Sequence, residues 1–537
     1  MNKDAFDLFA RLKALNRIGI ALSAEKDSTR LLEMILEEAK RLALADGGTL
    51  YTCTEDNYLK FEIMLTDSLR IKKGGTSGEP VPFAPLPLYN KEGEPNLQMV
   101  AVCAAVRGVT INIPNAYTNT EFDFVGTRDF DEQTGYHSQS FLTVPMKNRK
   151  GEVIGILQLI NALDPKTQRI TVFSPFEQEL VESLASQAAV ALVNQQLLEG
   201  QRLLFEAFIE LIAKAIDDKS PYTGGHCRRV PELTMLLAKA AAQVETGALK
   251  DFSMTEEDYY ALKVASWLHD CGKITTPEHI IDKSTKLETI FDRIELIDTR
   301  FEILKRDAEI TLLRKQLHGQ QTENLEKQLI DQKKILDEER DFLRNCNLGS
   351  EWMAETLKTR VKTIGQHRWI NAQGQEDQLL STNEIDNLTI TSGTLTTEER
   401  TVINNHIVTT INMLESLPYP KLLKQVPEFA GGHHEHIDGS GYPKGLTGEQ
   451  MSVQARVMAI ADIFEALTAR DRPYKKPMPL SKALNILKNM KDKQHIDPDL
   501  FDIFIREKIY LHYAKKFLDP EQIDEIDLAQ LLNEPLL

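Results

Sequence analysis

The spacing of apolar residues changes several times along the chain, and each change predicts a different kind of element. Residues 29–44 (TRLLEMILEEAKRLAL) place apolar side chains at helical intervals. GTLYTCT and KFEIML, which follow, alternate as short strands do. FLTVPM, the polar turn KNRKGE and VIGILQLIN, together 141–161, predict a hairpin closed by Gly151. Pro80, Pro82, Pro85 and Pro87 break residues 75–90 into loop. From Pro175 to about Ile216 the pattern predicts one long helix. Phe205, Ile209, Ile212 and Ile216 step by 4, 3 and 4 as a seam does, and Leu204, Phe208 and Leu211 widen the stripe. Such a helix either connects a sensor to an effector or packs on its own domain.

Residues 250–283 and 392–515 read as helical and are dense in His, Asp and Lys. A different pattern lies between them. Leu287, Ile290, Ile294, Ile297, Phe301 and Leu304 step by 3 and 4 in turn. Leu325, Leu329, Leu336 and Leu343 fall on a second heptad frame, with Gln332 and Glu339 at the intervening seam positions. HGQQ at 318–321 separates the two runs, with Gly319 as the break. This predicts an αα hairpin or a dimeric coiled coil. Residues 345–391 are polar and irregular.

Composition narrows the class. The chain has 537 residues, enough for several domains. It is 42% hydrophobic and 27% charged, as folded proteins are. A net charge of −17 argues against a general nucleic-acid binder, which needs a basic excess for phosphate contacts. One small basic pocket for a phosphate ligand is compatible with it. No apolar run is long enough to predict a membrane span, and MNKDAFDLFARLK lacks a signal-peptide core. Five scattered cysteines (Cys53, Cys103, Cys227, Cys271, Cys346) predict reduced thiols and a cytoplasmic location.

Seven candidate ligands lie in the second half: His226, His269, Asp270, His406, His433, His434 and Asp462. Imidazole and carboxylate without thiolate suit Fe or Mn better than structural zinc. Seven side chains exceed what one ion takes. Two divalent ions sharing a carboxylate would use them all, and Asp270 is the natural bridge. Taken singly, each residue has a plain reading: a satisfied core histidine, a chance HD dipeptide, a capping aspartate. The surrounding strings raise the odds: PYTGGHCRRV, LHDCGKI, HHEHIDGSGYP and ARVMAIADIFEALTARDRPYK.

These strings resemble the HD-GYP domain, a subgroup of the HD phosphohydrolases. The HHExxDGxGYP signature is complete in His433, His434, Glu435, Asp438, Gly439, Gly441, Tyr442 and Pro443, and HDxGK in His269, Asp270, Gly272 and Lys273. TLTTEERTVINNH, ending at His406, is similar to the family's LTxEE segment and its following ligand histidine. The resemblance covers roughly 205–283 and 392–515. It implies an all-helical fold and cleavage of cyclic di-GMP to pGpG or GMP, or of mixed cyclic GMP-AMP. A hydrolase of other phosphoesters and a non-enzymatic cyclic-di-GMP-binding effector are the competing readings. Some members carry a third metal and a Glu four residues before the first ligand histidine. Here that position is Tyr222, so two metals are expected. The family runs almost directly from the segment matching IIDKS into LTxEE, whereas 285–391 intervene here. This insertion enters beside the active site and could shape access or dimerisation.

The mechanism this implies has two cations about 3.5–4 Å apart neutralising the phosphodiester and lowering the pKa of a shared water. Asp270 and Lys273 are the candidate catalytic residues. Lys273, four positions after His269, would orient the hydroxide or donate to a phosphate oxygen. Arg472 and Lys475 in RDRPYK resemble the family's phosphate-binding pair, with Arg470 able to share the role. Gly441, Tyr442 and Pro443 have turn chemistry and are expected to wall the substrate pocket. Glu435 and Asp438 are candidates for orienting the ligand histidines. Cys227 and Cys271 read as packing residues.

Residues 20–195 resemble a GAF domain, a six-stranded antiparallel sheet between helices, through SFLTVPMKNRKGEVIGILQLINA and FSPFEQELVESLASQAAVAL. Its small ligand is unknown. Cyclic-nucleotide-binding members carry an NKFDE-type pattern, which Asn161-Ala162 and Phe176-Glu177-Gln178 do not match. The expected architecture is therefore multidomain. An α+β GAF-like domain spans 1–200, with a connecting helix 176–216. An all-α HD-GYP domain spans 201–284 and 392–515, with a helical insertion at 285–391 and a tail at 516–537. A homodimer through the connecting helix is expected.

Overall fold

The computed structural model describes residues 3–219, 225–319, 323–349, 352–469 and 477–532. The chain forms two compact units, 1–204 and 205–537.

The first unit is built on strands β1 (Ala45–Cys53), β2 (Tyr58–Thr66), β3 (Ile71–Gly74), β4 (Leu86–Pro87), β5 (Ile111–Ile113), β6 (Phe141–Lys147), β7 (Val153–Leu163) and β8 (Ile170–Thr171). The six-strand path runs β3-β2-β1-β7-β6-β5, with β4 beside β2 and β8 beside β7, and every pairing is antiparallel. The predicted hairpin is β6–β7, in register from Phe141 opposite Ile160 to Met146 opposite Gly155, with an irregularity before Lys147 opposite Val153. Gly151 takes φ +84° in its turn, a conformation that favours glycine.

Helices cover both faces, which is why β1 is buried along most of its length. On one face Leu31, Ile35 and Leu36 of Ser28–Ala43 and Val181, Leu184 and Ala188 of the long helix pack on Leu50, Leu157 and Leu159. On the other, the helix Val100–Arg107 packs Ala101, Val102 and Ala105 against Tyr51 and Ile156. Cys103 is buried and Cys53 half-buried, as core thiols would be. Asn161 is structural: its Oδ1 accepts from the Gln139 amide at 2.7 Å and its Nδ2 donates to the His137 carbonyl at 2.8 Å.

The long helix runs Pro175–Lys219, and the boundary between the units falls inside it. Its start is a capping box: Ser174 N–H donates to Glu177 at 2.8 Å, and the Glu177 amide donates to Ser174 Oγ at 3.3 Å. Pro175 in the first turn loses no bond there. The seam differs from the sequence reading. Ile209, Ala213 and Ile216 are buried and Phe205 packs beside them, while Ile212 is 45% exposed. An interval of four between 209 and 213 follows the 3.6-residue period of a helix packed on its own domain. Leu204, Phe208 and Leu211 are exposed.

The second unit is helical. His226–Ala241, Glu256–Leu268 and Val453–Thr468 bury Val230, Leu233, Val264, Met458, Ala461 and Phe464 in one core. Pro498–Arg506 and Ile509–Phe517 add Phe501, Phe504 and Tyr513. The stretch expected to be a tail joins this core. Leu531 is buried, and Gln522 Nε2 donates to the carbonyls of Thr468 and Met478 at 3.0 and 3.1 Å. Its apolar residues are too sparse to show a period.

The insertion contains an antiparallel helical hairpin, Ile294–Leu317 and Glu323–Asn347. Lys305 pairs with Asp337, Lys333 with Glu309, and Arg344 with Asp298 at 2.8 Å, fixing the register. The heptad overreached at its start: Leu287 and Ile290 precede the helix, and Ile290 is 95% exposed. The polar stretch after the hairpin is ordered, with helices Glu355–Gly365 and Thr382–Leu388 and a two-stranded hairpin, Arg368–Ile370 with Glu376–Gln378. Leu287, Ile297, Phe301, Leu343, Val361, Leu379 and Leu388 form a core of their own. Two lysines close its neck. Lys286 Nζ donates to the Leu388 and Ile390 carbonyls at 3.2 and 2.8 Å, and Lys283 Nζ to Asn387 and Glu399 at 2.8 and 2.7 Å.

A separate core makes the insertion a separable unit of stability. Phe301, at 0% exposure, truncated to Ala should destabilise it by about 3–5 kcal/mol. Limited proteolysis should then cut within 285–391 well before the rest of the second unit. Cutting throughout the unit at one rate would contradict an independent core.

Candidate metal centre

All of the predicted ligands except Asp462 sit where a helix starts, ends or has just ended. His226 opens His226–Ala241 after Gly225, which takes φ +89°. Glu256–Leu268 begins with a Thr255/Asp258 capping box and stops at Leu268, leaving His269 as the exit residue. Asp270 then leads into the tighter turn Cys271–Thr275. This turn crosses His406–Glu415 so closely that a Cβ on Gly272 would lie 2.0 Å from the His406 carbonyl oxygen. The Gly272 amide donates to Thr410 Oγ1 at 2.9 Å. Only glycine permits that approach, which accounts for its place in HDxGK. The LTTEE residues cap Thr397–Asn404, where Thr396 and Glu399 form a capping box just before His406. His433 and His434 follow the short helix Val426–Gly431, and Asp462 lies within Val453–Thr468.

The structure brings all seven side chains together. His226 Nε2 lies 3.2 Å from Asp270 Oδ2 and 3.2 Å from Asp462 Oδ1, and 3.3 Å from His269 Nε2. His269 Nε2 lies 3.3 Å from Asp270 Oδ2 and 3.6 Å from Asp462 Oδ1. His406 Nε2 lies 3.2 Å from Asp270 Oδ1 and 3.3 Å from His434 Nε2. The ligand atoms form two groups, His226–His269–Asp270 and His406–His433–His434, each within 4.8 Å. Asp270 reaches both, one oxygen toward each.

The imidazoles face inward for a definite reason. Nδ1 of His269 donates to the Ser266 carbonyl at 2.8 Å and Nδ1 of His433 to Ala430 at 2.6 Å; Nδ1 of His406 bonds the Ile403 carbonyl, and Nδ1 of His226 bonds Glu465. Carbonyl and carboxylate oxygens only accept, so in the neutral ring Nδ1 carries the proton and Nε2 presents its lone pair. His433 Nε2 and Asp270 Oδ1 are buried without a hydrogen bond. A buried lone pair without a donor is costly. Five imidazoles and two carboxylates converge here, and with the rings neutral they would fit divalent cations.

Charge follows this geometry. Burial works against protonated His226, but the carboxylates of Glu465, Asp270 and Asp462 outweigh it and hold the ring well above its ordinary pKa. His269 rises to about 9: burial opposes the shift, and Asp270 and Asp462 outweigh it. Burial, with His434 and His269 nearby, pushes His433 well down. His434 falls to about 4, mainly through burial. Burial would raise Asp270 and Asp462, but Lys273 and His269 hold Asp270, and His226 and His269 hold Asp462, well below the carboxylate range.

Lys273 lies in the turn after the helix, not on its continuation. It therefore pairs three positions back, its Nζ donating to Asp270 Oδ2 at 2.6 Å. Burial lowers its pKa, and Asp270 and Asp462 more than reverse this, keeping it charged. Tyr442 stacks on His434, with ring centroids 4.9 Å apart, and its amide donates to the His434 carbonyl at 3.1 Å. Gly441 serves by size, not by positive φ: a Cβ would lie 2.2 Å from the His436 nitrogen. Gly439 is the residue with positive φ, +81°. Pro443 follows through a cis peptide bond.

Two expected roles change. The Glu435 carboxylate accepts the amides of Lys444 and Leu446 at 2.7 and 2.9 Å, so it holds the loop and not an imidazole. Asp438 accepts the Ser440 amide at 2.9 Å and shapes the same turn. Both point to amides because the loop doubles back within eleven residues of Glu435 and must satisfy its own N–H groups. Cys227 and Cys271 are buried free thiols. Arg470, Arg472, Lys475 and Tyr222 lie outside the described residues.

Glu465 escaped the sequence reading. It is 1% exposed, bonds His226 Nδ1, and accepts from Arg229 Nε at 2.6 Å. Its signal was available: a Glu three positions after a ligand Asp shares that Asp's helix face.

Residues 382–500 match the family model "HD domain", and 27–192 match "GAF domain". Curated relatives include "Probable cyclic di-GMP phosphodiesterase" of Vibrio cholerae, 39% identical over 142 residues, which are 25% of this chain and 32% of the relative. The "3'3'-cGAMP-specific phosphodiesterase 3" of the same species is 24% identical over 372 residues, 65% of this chain and 54% of the relative. A "Cyclic di-GMP phosphodiesterase" of Thermotoga maritima is 33% identical over 154 residues, 29% of this chain and 39% of the relative. The matches thus span between about a third and a half of these relatives' own lengths.

Replacing Glu465 by Gln removes the charge behind His226 and should weaken metal affinity about 10–100-fold. Competition against a chromogenic chelator measures it. Unchanged affinity would mean that Glu465 only fills space.

Proposed function

We propose that this chain, which carries a GAF domain and an HD domain, is a phosphodiesterase of the HD-GYP type that hydrolyses cyclic di-GMP to pGpG, GMP or both, under control of a small ligand of its GAF domain. Mixed cyclic GMP-AMP is the alternative substrate, and relatives named for each dinucleotide suit both. The observation that carries the reading is the Asp270 carboxylate, set between two imidazole groups with one oxygen toward each. Two divalent ions, Fe or Mn, would neutralise a phosphodiester there and lower the pKa of a water.

The chain's own residues divide the remaining work. His226, His269 and Asp462 take one side of Asp270, and His406, His433 and His434 the other. Lys273 stays charged beside Asp270 and is 27% exposed, so it can donate a second N–H to a phosphate oxygen. Tyr442, Gly441 and Pro443 wall the pocket. Arg472 and Lys475 supply further phosphate contacts, a guanidinium by two parallel bonds. A binding protein without activity would not need this complete ligand set.

A homodimer belongs to this proposal. Leu197, Leu204 and Leu211 recur every seven residues on the long helix and are exposed by 59%, 59% and 61%. So does a cytoplasmic location, which suits five unpaired cysteines. Among the described residues no helix is long and apolar enough to cross a membrane.

Purified protein loaded with Mn or Fe should hydrolyse cyclic di-GMP or cyclic GMP-AMP. Asp270→Ala should abolish turnover and metal binding together. Metal-loaded protein that hydrolyses neither dinucleotide would contradict the proposed activity, and an active Asp270→Ala variant would contradict the ligand assignment.

A further inference from the structure

The last turn of the helix Pro175–Lys219 reaches the supports of the centre from two sides. Asp217 is 5% exposed. Its Oδ2 accepts the Gly225 amide at 3.1 Å and its Oδ1 the Cys227 amide at 3.3 Å. These amides flank His226. N–H groups in the first turn of a helix have no partner within it, and a carboxylate there also meets the positive end of the helix dipole. Asp217 thus holds the backbone on both sides of the first ligand.

Two residues later, Lys219 Nζ donates to the carbonyls of Lys273, Ile274 and Thr276 at 3.1, 2.5 and 2.6 Å. An ammonium has three N–H donors, and all three are used. The carbonyls close the exit of the turn that begins directly after Asp270 and contains Lys273. Lys219 thus holds the far end of the segment carrying the bridging candidate.

We propose that Asp217 and Lys219 are positioning residues of the metal centre, a clamp setting the distance between the His226 backbone and the Asp270–Lys273 turn. The clamp rests on the reading of these residues as metal ligands. His226 and Asp270 are 44 positions apart in sequence, yet their ligand atoms stand 3.2 Å apart. Constellations of this kind tolerate about 0.5 Å of error. One helical turn joins the two anchors, so a shift of that turn moves both together. The helix begins at Pro175, in the first unit, so the anchors lie where an axial or rotational change in it would be delivered.

The test uses the full chain with Lys219→Met, Lys219→Arg and Asp217→Asn. Mn affinity is read by chelator competition, turnover with cyclic di-GMP and cyclic GMP-AMP, and folding by circular dichroism. Lys219→Met should keep the wild-type spectrum and melting curve. It should lose Mn affinity about 10-fold or more, and kcat by about 10- to 100-fold at saturating Mn, because the ligands and Lys273 are misplaced. Lys219→Arg retains a cationic donor and should recover most of both. A folded Lys219→Met protein with wild-type Mn affinity and kcat would overturn the clamp. If Lys219→Met does not fold, Asp217→Asn decides by the same criteria. If the wild type hydrolyses neither dinucleotide, the proposed activity fails while Mn affinity still judges the clamp.

Discussion

The second unit is organised around a buried carboxylate. Asp270 is 2% exposed, and its oxygens face imidazole nitrogens that carry lone pairs when neutral. Lys273 compensates one oxygen; the other lacks a hydrogen bond. Burying such a group is unfavourable unless a positive charge joins it. Divalent cations would relieve this arrangement, and the converging imidazoles and carboxylates could hold them. The net charge of −17 belongs to the chain as a whole; Lys273, with the ions it accompanies, would make one local positive site for a phosphodiester.

Five separated segments supply the candidate ligands, and short-range devices place most of them. Capping boxes start the helices before His269 and His406. Gly272 lets two backbones touch, and Gly441 lets a loop fold onto Glu435. Backbone carbonyls orient three of the rings, and Glu465 a fourth. The insertion enters between two of these segments, and Lys283 ties its neck to Glu399, which belongs to the capping box before His406. Its core is separate, so the catalytic helices need not reorganise to accommodate it.

Legibility in the sequence followed locality. The hairpin of the first unit, the long helix and all seven candidate ligands could be read because each lies in a periodic run or a dense motif. Glu435 and Asp438 were seen as residues, but their partners are loop amides, which no spacing reveals. Glu465 carried a weak signal, one helical turn from Asp462. Asp217 and Lys219 carried none, since their partners depend on how distant segments pack. The same holds for the ordered stretch after the insertion hairpin, where isolated leucines such as Leu379 and Leu388 meet a core assembled from elsewhere. The residues at 516–532 repeat the lesson: Leu531 is buried by helices that precede it in the chain.

Two metal positions sharing Asp270 underlie the proposed chemistry. The most direct measurement is a crystal structure of the Mn-loaded protein with anomalous scattering recorded at the Mn edge. Two well-occupied peaks are expected, one beside His226, His269 and Asp462 and one beside His406, His433 and His434, with Asp270 touching both. A single peak, a third well-occupied peak, or two peaks that Asp270 does not bridge would contradict that chemistry.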